Sequence, residues 1–215
     1  MSITGSGATP GPDAFATGGS AAAVPPPGTW YIEPIHSSIG FVARFQHFGR
    51  IQGRFGLVSG VVWIGERPQE SSASVSVEVG SIDTGIAKRN AHLTSPDFFD
   101  AAEHPQIVWH GSSVEPAAGG RDWIFHGELT IKTTTRPVSL VGRFLGEEPY
   151  PFGDARQISF TARATIDRFD FGVEGMPPIP GAGLFVGREV DIVLDVALID
   201  TDIRFFTHRF LAEPR

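Results

Sequence analysis

The chain contains no cysteine, which excludes disulfides, thiolate metal ligands and cysteine nucleophiles together. Long apolar runs are missing as well: no stretch approaches the ~18 consecutive apolar residues that a membrane-crossing helix requires. Positive charge is scarce. Lys and Arg number 17 against 24 Asp and Glu, a formal net charge of -7, and no basic stripe offsets that balance, so a phosphate backbone is repelled. There is no GxSxG elbow, no GxxxxGK[ST] loop, and no GxGxxG that follows a strand and opens a helix. These absences remove the common hydrolase and nucleotide-binding sites. Cysteine usage alone does not fix the compartment.

What is present fits one domain with tails. The 215 residues are too few for two comfortable domains. Residues 1–28 are rich in Gly, Pro, Ser, Thr and Ala, carry Asp13 as their sole charged side chain, and have no basic region ahead of an apolar core. They read as a flexible leader rather than a secretory signal, with a cytoplasmic location as the default. Residues 29–201 read as the folded domain, and residues 202–215 as a tail containing the aromatic run Phe205-Phe206-Thr207-His208-Arg209-Phe210.

From Trp30 onward, strict alternation of apolar and polar residues predicts strands with one buried face. Ile39, Phe41, Ala43 and Phe45 share a face. A long second run places Ile51, Gly53, Phe55, Leu57, Ser59, Val61 and Trp63 together, and Ala73, Val75, Val77 and Val79 alternate with Ser72, Ser74, Ser76 and Glu78. Further runs start at Ile107, Trp123, Val138, Ile158 and Val190, for eight candidate strands in all. Ile86, Asn90 and Leu93 have helical spacing and predict a short helix, and Ser95-Pro96 predicts a second one ending before Pro105. Residues 175–183, with three prolines, predict a flap.

Eight antiparallel strands form a sandwich or a closed barrel. The long second run favours the barrel, since one coiled strand can serve two sides, and closure removes exposed edges. A barrel of this size is either filled by its own side chains or just wide enough for one ligand. The small inward residues Ala43, Gly53, Ser59, Ala73, Gly127, Gly142, Ala162 and Ala164 leave both outcomes open: unfilled dry volume, or large and small side chains that interdigitate.

Several motifs point further. Trp30-Tyr31-Ile32-Glu33-Pro34, His36-Ser37-Ser38-Ile39-Gly40-Phe41 and Gly53-Arg54-Phe55 open a pattern. Ser81-Ile82-Asp83-Thr84-Gly85, Arg89, His92-Leu93 and Ser95-Pro96-Asp97-Phe98-Phe99-Asp100 continue it. His104-Pro105, Gly127-Glu128-Leu129-Thr130-Ile131, Thr135-Arg136-Pro137-Val138 and Phe169-Asp170-Phe171-Gly172 complete it. The pattern runs from about Thr29 to Ile199 and resembles the YceI-like bacterial family. The resemblance implies an all-β, extended antiparallel eight-stranded lipocalin-like barrel with a short helical insert. It also implies binding of isoprenoid chains or other long amphiphiles, with no established catalytic residues. Three departures stand out: Phe45 occupies a position that is usually histidine, with His47 two residues on; Asn90 and Thr94 stand where acidic and basic residues are usual; and Lys132-Thr133 replaces a glycine-containing turn.

The candidate lining is Phe41, Phe45, Phe55, Trp63, Val75, Val77, Phe98, Phe99, Trp109, Phe125, Leu129, Phe160 and Ala162, each of which could equally be ordinary core. Asp83, Arg89 and His92 are candidates for a polar head, or for fastening the helical insert through an Asp83–Arg89 pair with His92 capping a backbone group. His110 and His126, opposite each other if their hairpin is symmetric about Ala118, could join Glu128 around zinc. Without HExxH spacing they read instead as water-facing, and no metal or other cofactor is expected. The leading expectation is a lipid-holding barrel without catalysis, acting as carrier, buffer or sensor for a polyprenyl or quinone-type lipid, with homodimerisation left open. The alternatives are a barrel enzyme using His47 or His92, and a filled barrel that docks proteins through its flap and tail.

Overall fold

The computed structural model describes residues 23–46, 49–175 and 185–202. The leader up to residue 22, His47, all of the 175–183 stretch except Gly175, and the aromatic tail lie outside them. Most of the alternating runs become strand, while Leu57, Val79 and Val138 fall outside the strands. The strands are β1 (Gly28–Phe45), β2 (Gly49–Phe55), β3 (Val58–Ile64), β4 (Ser72–Glu78), β5 (Ile82–Asp83), β6 (Gln106–Pro116) and β7 (Trp123–Ile131). They continue as β8 (Thr134–Pro137), β9 (Leu140–Pro149), β10 (Arg156–Asp167) and β11 (Val186–Ile199), with one helix, α1 (Ala87–Thr94).

The ring closes. Neighbours run β1-β3-β4-β6-β7-β9-β10-β11 and back to β1, every pairing antiparallel, which makes an eight-stranded barrel. β2 and β5 extend it beside the second half of β1, and β8 pairs with the end of β7. The strand that serves two sides is the 18-residue β1, which gives its first half to β3 and its second half to β2. The long second run does not play that part. It breaks at Gly56-Leu57, where Gly56 N–H donates to the Ser81 carbonyl (3.1 Å) and Leu57 N–H to Ser81 Oγ (3.0 Å).

This jog reverses the parity. Beyond it Val58, Val62 and Ile64 point inward, while Leu57 is 60% exposed, Val61 41% and Trp63 45%. Ser59 faces outward with them. Period-2 geometry sends every later side chain to the opposite face once one residue is skipped.

The expected second helix does not form. Ser95 instead ends α1, its N–H and Oγ both donating to the His92 carbonyl. The chain then turns through Asp100 in the left-handed region (φ 52°), fixed by Asp100 N–H to the Ser95 carbonyl (2.9 Å). Phe98 and Phe99 are therefore carried by a turn. No helix of the described residues is long and apolar enough to cross a membrane.

Two apolar clusters mark the ends. Trp30, Ile32, Val58, Ile64, Val77, Ile158 and Leu198 pack together where β1 starts. Leu129, Ile131, Val138, Phe171 and Val173 pack beneath Phe98 and Phe99, near α1.

Candidate ligand-binding lumen

A cavity of about 550 Å3 runs the length of the barrel, from Val24, Pro25 and Pro68 at one end to Phe45, Phe98 and Phe185 at the other. The volume lies within the range of small-molecule sites. Its wall is almost wholly hydrocarbon. Phe41, Phe45, Phe55, Val75 and Val77 face it from the first half of the chain, and Phe98 and Phe99 from the turn after α1. Trp109, Phe125, Leu129, Phe160 and Ala162 face it from the second half. Trp63 does not. The reversal at Gly56-Leu57 puts its indole on the outer surface, and Val62 and Ile64 take the inward places.

The hollow has a different origin from the one that the small residues suggest. A Cβ on Gly53 would lie 2.4 Å from the Phe41 ring, and one on Gly127 2.6 Å from the Trp109 ring. Phe41 lies directly opposite Gly53 in the β1–β2 register. Trp109 leans over the Gly111–Gly127 pair, held by its Nε1–H donating to the Val138 carbonyl at 3.0 Å. The glycines are therefore seats for rings. Large and small residues do interdigitate, but along the wall, and the centre stays open.

The α1 end carries the polar groups. Thr84 N–H and Oγ1–H both donate to Asn90 Oδ1 (2.9 and 2.6 Å), and Asn90 Nδ2 donates to Asp83 Oδ1 (3.2 Å). Arg89 donates through Nε to Thr84 Oγ1 (2.8 Å) and through Nη2 to the Thr84 carbonyl (2.6 Å). The expected Asp83–Arg89 pair is not made. Thr84 stands between them and takes the guanidinium, so Asn90 rather than an ion pair fastens α1. Asp83 lies outside the lining, held below the usual carboxylate range by the Gly85 N–H first and the Asn90 amide second. Arg89 and His92 do line the cavity. The His92 ring meets Phe98 edge-on at 4.9 Å, with Asp97 Oδ2 3.6 Å from its Nε2. It is the His92 carbonyl, not the ring, that takes part in capping.

Among the lining residues not legible in the sequence, one is charged. Arg168 is only 7% exposed and gives its donors to the carbonyls of Val173 (2.6 Å), Val186 (2.9 Å), Gly187 (2.9 Å) and Glu174. It staples together the two chain segments that flank residues 175–185. Burial lowers its pKa, against the pull of Asp167 and Glu174. Its neighbours supplied the only signal: an arginine between Asp167 and Phe169-Asp170-Phe171-Gly172 at the end of a strand.

The metal alternative fails on register. The β6–β7 hairpin carries a bulge between Gly111 and Ser113, so His110 lies opposite Glu128 and His126 opposite Ser113. His126 contacts Ser139 Oγ through Nδ1 (3.0 Å) and Glu115 through Nε2 (3.0 Å). Among the described residues no three metal-ligating side chains converge.

A closed antiparallel barrel around an apolar lumen, with one short helix beside its mouth, places the protein in the lipocalin-like class of barrels. Residues 30–198 match the YceI-like domain, and the chain belongs to that family. It is 30% identical to protein YceI of Escherichia coli over 165 residues, 75% of this chain and 80% of the relative. It is 33% identical to a UPF0312 protein of Photorhabdus laumondii over 158 residues, 72% of this chain and 80% of the relative. Among solved structures, Burkholderia cenocepacia BcnA superposes with a TM-score of 0.66 at 23% identity, covering 77% of this chain and 98% of that one. A polyisoprenoid binding domain from Saccharophagus degradans, implicated in plant cell wall breakdown, gives 0.56 at 15% identity, covering 80% and 98%.

Proposed function

We propose that the barrel holds a long apolar amphiphile of the isoprenoid type, such as a polyprenyl or quinone tail, as carrier, buffer or sensor, without chemistry. The observation that carries this reading is the 550 Å3 lumen walled by aliphatic and aromatic side chains. An apolar cavity of this kind stays dry and favours hydrocarbon. About twenty buried methylenes contribute about 16 kcal/mol gross, which leaves about 8 kcal/mol, the equivalent of micromolar binding, after association costs of about 8 kcal/mol. A structural neighbour, the polyisoprenoid binding domain from Saccharophagus degradans, supports the same choice of ligand.

Native mass spectrometry of freshly purified protein, followed by organic extraction, tests the proposal. A reproducible long-chain species is the expected result. Empty protein that takes up neither polyprenols nor quinones overturns it, and turnover of a lipophilic substrate lost on changing His92 would replace it with an enzyme.

A further inference from the structure

We propose that the α1 end of the lumen selects an amphiphile with an anionic head, a carboxylate or a phosphate, and that Arg89 is the group that grips it. This inference rests on the lipid-holding reading and adds the head group to it.

The charged and titratable side chains that line the cavity are Arg89, His92 and Arg168, and no carboxylate is among them. In a chain of net charge -7, that concentration runs against the composition. The two arginines play different parts. Arg168 has committed its donors to four carbonyls and contributes charge rather than contact. Arg89 is held by one edge: Nε and Nη2 are fixed on Thr84, and Nη1 has no partner among the described residues. A guanidinium oriented on one side and open on the other is a ready donor for an oxyanion, since its fork matches carboxylate and phosphate geometry.

The nearby negative groups do not neutralise it. Asp83 accepts from Gly85 N–H (2.8 Å) and Asn90, and lies opposite Arg54 in the β2–β5 register. Asp97 approaches His92 Nε2 at 3.6 Å and is largely exposed, and Glu174 is exposed too. Residue 90, the hub of the Thr84 network, is an amide and adds no charge. Arg89 is half-buried at the rim of an apolar cavity and has no carboxylate partner, so an anionic head would add a charge-assisted bond there.

Three probes that share one tail test the assignment on the full chain: farnesol, farnesoic acid and farnesyl monophosphate, titrated by calorimetry. The two anions should bind about tenfold or more tightly than the alcohol, with an advantage that shrinks as salt rises. Arg89→Gln should erase the difference between the alcohol and the anions, and Arg89→Lys should restore part of it. A preference for the phosphate alone identifies that head; equal affinity for both anions makes charge the criterion. Farnesol binding as tightly as both anions to the wild type, at any salt, overturns the proposal and leaves the lipid-holding reading intact. If none of the three binds, both readings fall. Should Arg89→Gln not fold, the salt dependence of the unaltered protein decides the matter.

Discussion

At the end of the barrel where β1 starts, Trp30, Ile158 and Ile199 are 0% exposed. The Arg156 guanidinium lies 5.2 Å over the Trp30 ring and pairs with Asp200 (2.8 Å) and Glu147 (3.2 Å). Even the bend in β1 is fixed internally: buried Glu33 accepts from Ile35 N–H (3.1 Å) and His36 N–H (2.7 Å). At the α1 end the rings that face the lumen, Phe45, Phe98, Phe99 and Phe185, are only half-buried; Phe98 and Phe99 sit on a turn, Phe45 at the end of β1 and Phe185 just before β11. One end is closed by packing and the other by side chains that lean on one another, so lipid should pass through the second. Regions that open locally are those with few buried contacts.

A pair of substitutions would break this comparison most decisively. Trp30→Ala should cost about 3–5 kcal/mol, the usual range for deleting a buried tryptophan, as read from the denaturation midpoint. Phe98→Ala should cost only about 1 kcal/mol, since part of its surface is already in water. The order reverses for exchange. Stopped-flow release of a fluorescent fatty acid should accelerate in Phe98→Ala and stay near the wild-type rate in Trp30→Ala, at temperatures where both are folded. Equal acceleration in both would make the ends equivalent.

Between the ends, the wall depends on glycine seats. In Gly53→Ala the new Cβ meets Phe41 and the Thr84 methyl group, at 2.9 Å or closer. These are side chains, so the ring can yield, but only toward the lumen. The expected cost is about 1–3 kcal/mol, as for other overpacked cores, with a shorter maximum tail accepted in a binding series of increasing chain length. Unchanged tail length would mean that Phe41 moves elsewhere and that the seat is not what keeps the lumen open.

The contrast between the ends also explains what the sequence could convey. Strand β4 is legible because its polar and apolar residues occupy strictly opposite parities, and β10 because they do so from Gln157 onward. In residues 57–64 both parities are apolar: Leu57, Val61 and Trp63 on one, Val58, Val62 and Ile64 on the other. Periodicity cannot choose between such faces, and the jog at Gly56-Leu57, held by Ser81, makes the choice. That is why Trp63 was assigned to the lining. The Arg168 staple was illegible for another reason. Its partners are main-chain carbonyls, which every residue possesses, so no residue type announces them. Asn90 was seen as a departure from the family pattern, but its role as a hub depends on Thr84, which only the folded loop brings to it.

Acid separates the two ends more gently. Asp167 is held below its ordinary range, first by the hydrogen bond from Arg188, with whose Nη2 it pairs at 2.6 Å. Asp200 is also lowered, its burial working against it and its bonds from Arg156 prevailing. A depressed carboxylate contributes stability that is fully present above its unfolded value of about 3.9 and lost as pH falls through the folded one. Stability should therefore hold down to about pH 4 and then drop modestly, since Arg188 and Arg156 are half open to water and screened. The carbonyls that hold the Arg168 staple do not titrate, so that staple should last down to the same threshold. Lipid release that quickens well above it would point instead to the His92–Asp97 pair beside Phe98.

The smallest expected effect lies at the turn between β7 and β8, beneath the mouth. Ile131 pairs with Thr134, leaving the two-residue connection Lys132-Thr133, and Lys132 adopts φ 54°. Hairpins of this length favour glycine where φ is positive. A side chain there costs about 1–2 kcal/mol, partly offset because glycine loses more freedom on folding. The one contact at stake is a weak bond from the Lys132 ammonium to the Gly172 carbonyl (3.3 Å, exposed). Lys132→Gly should therefore stabilise the barrel by about half a kcal/mol, seen as a small rise in the denaturation midpoint at constant slope. A loss instead would mean that the Lys132–Gly172 bond steadies the turn ahead of the Arg168 staple, and that the mouth is tied together by more than backbone carbonyls.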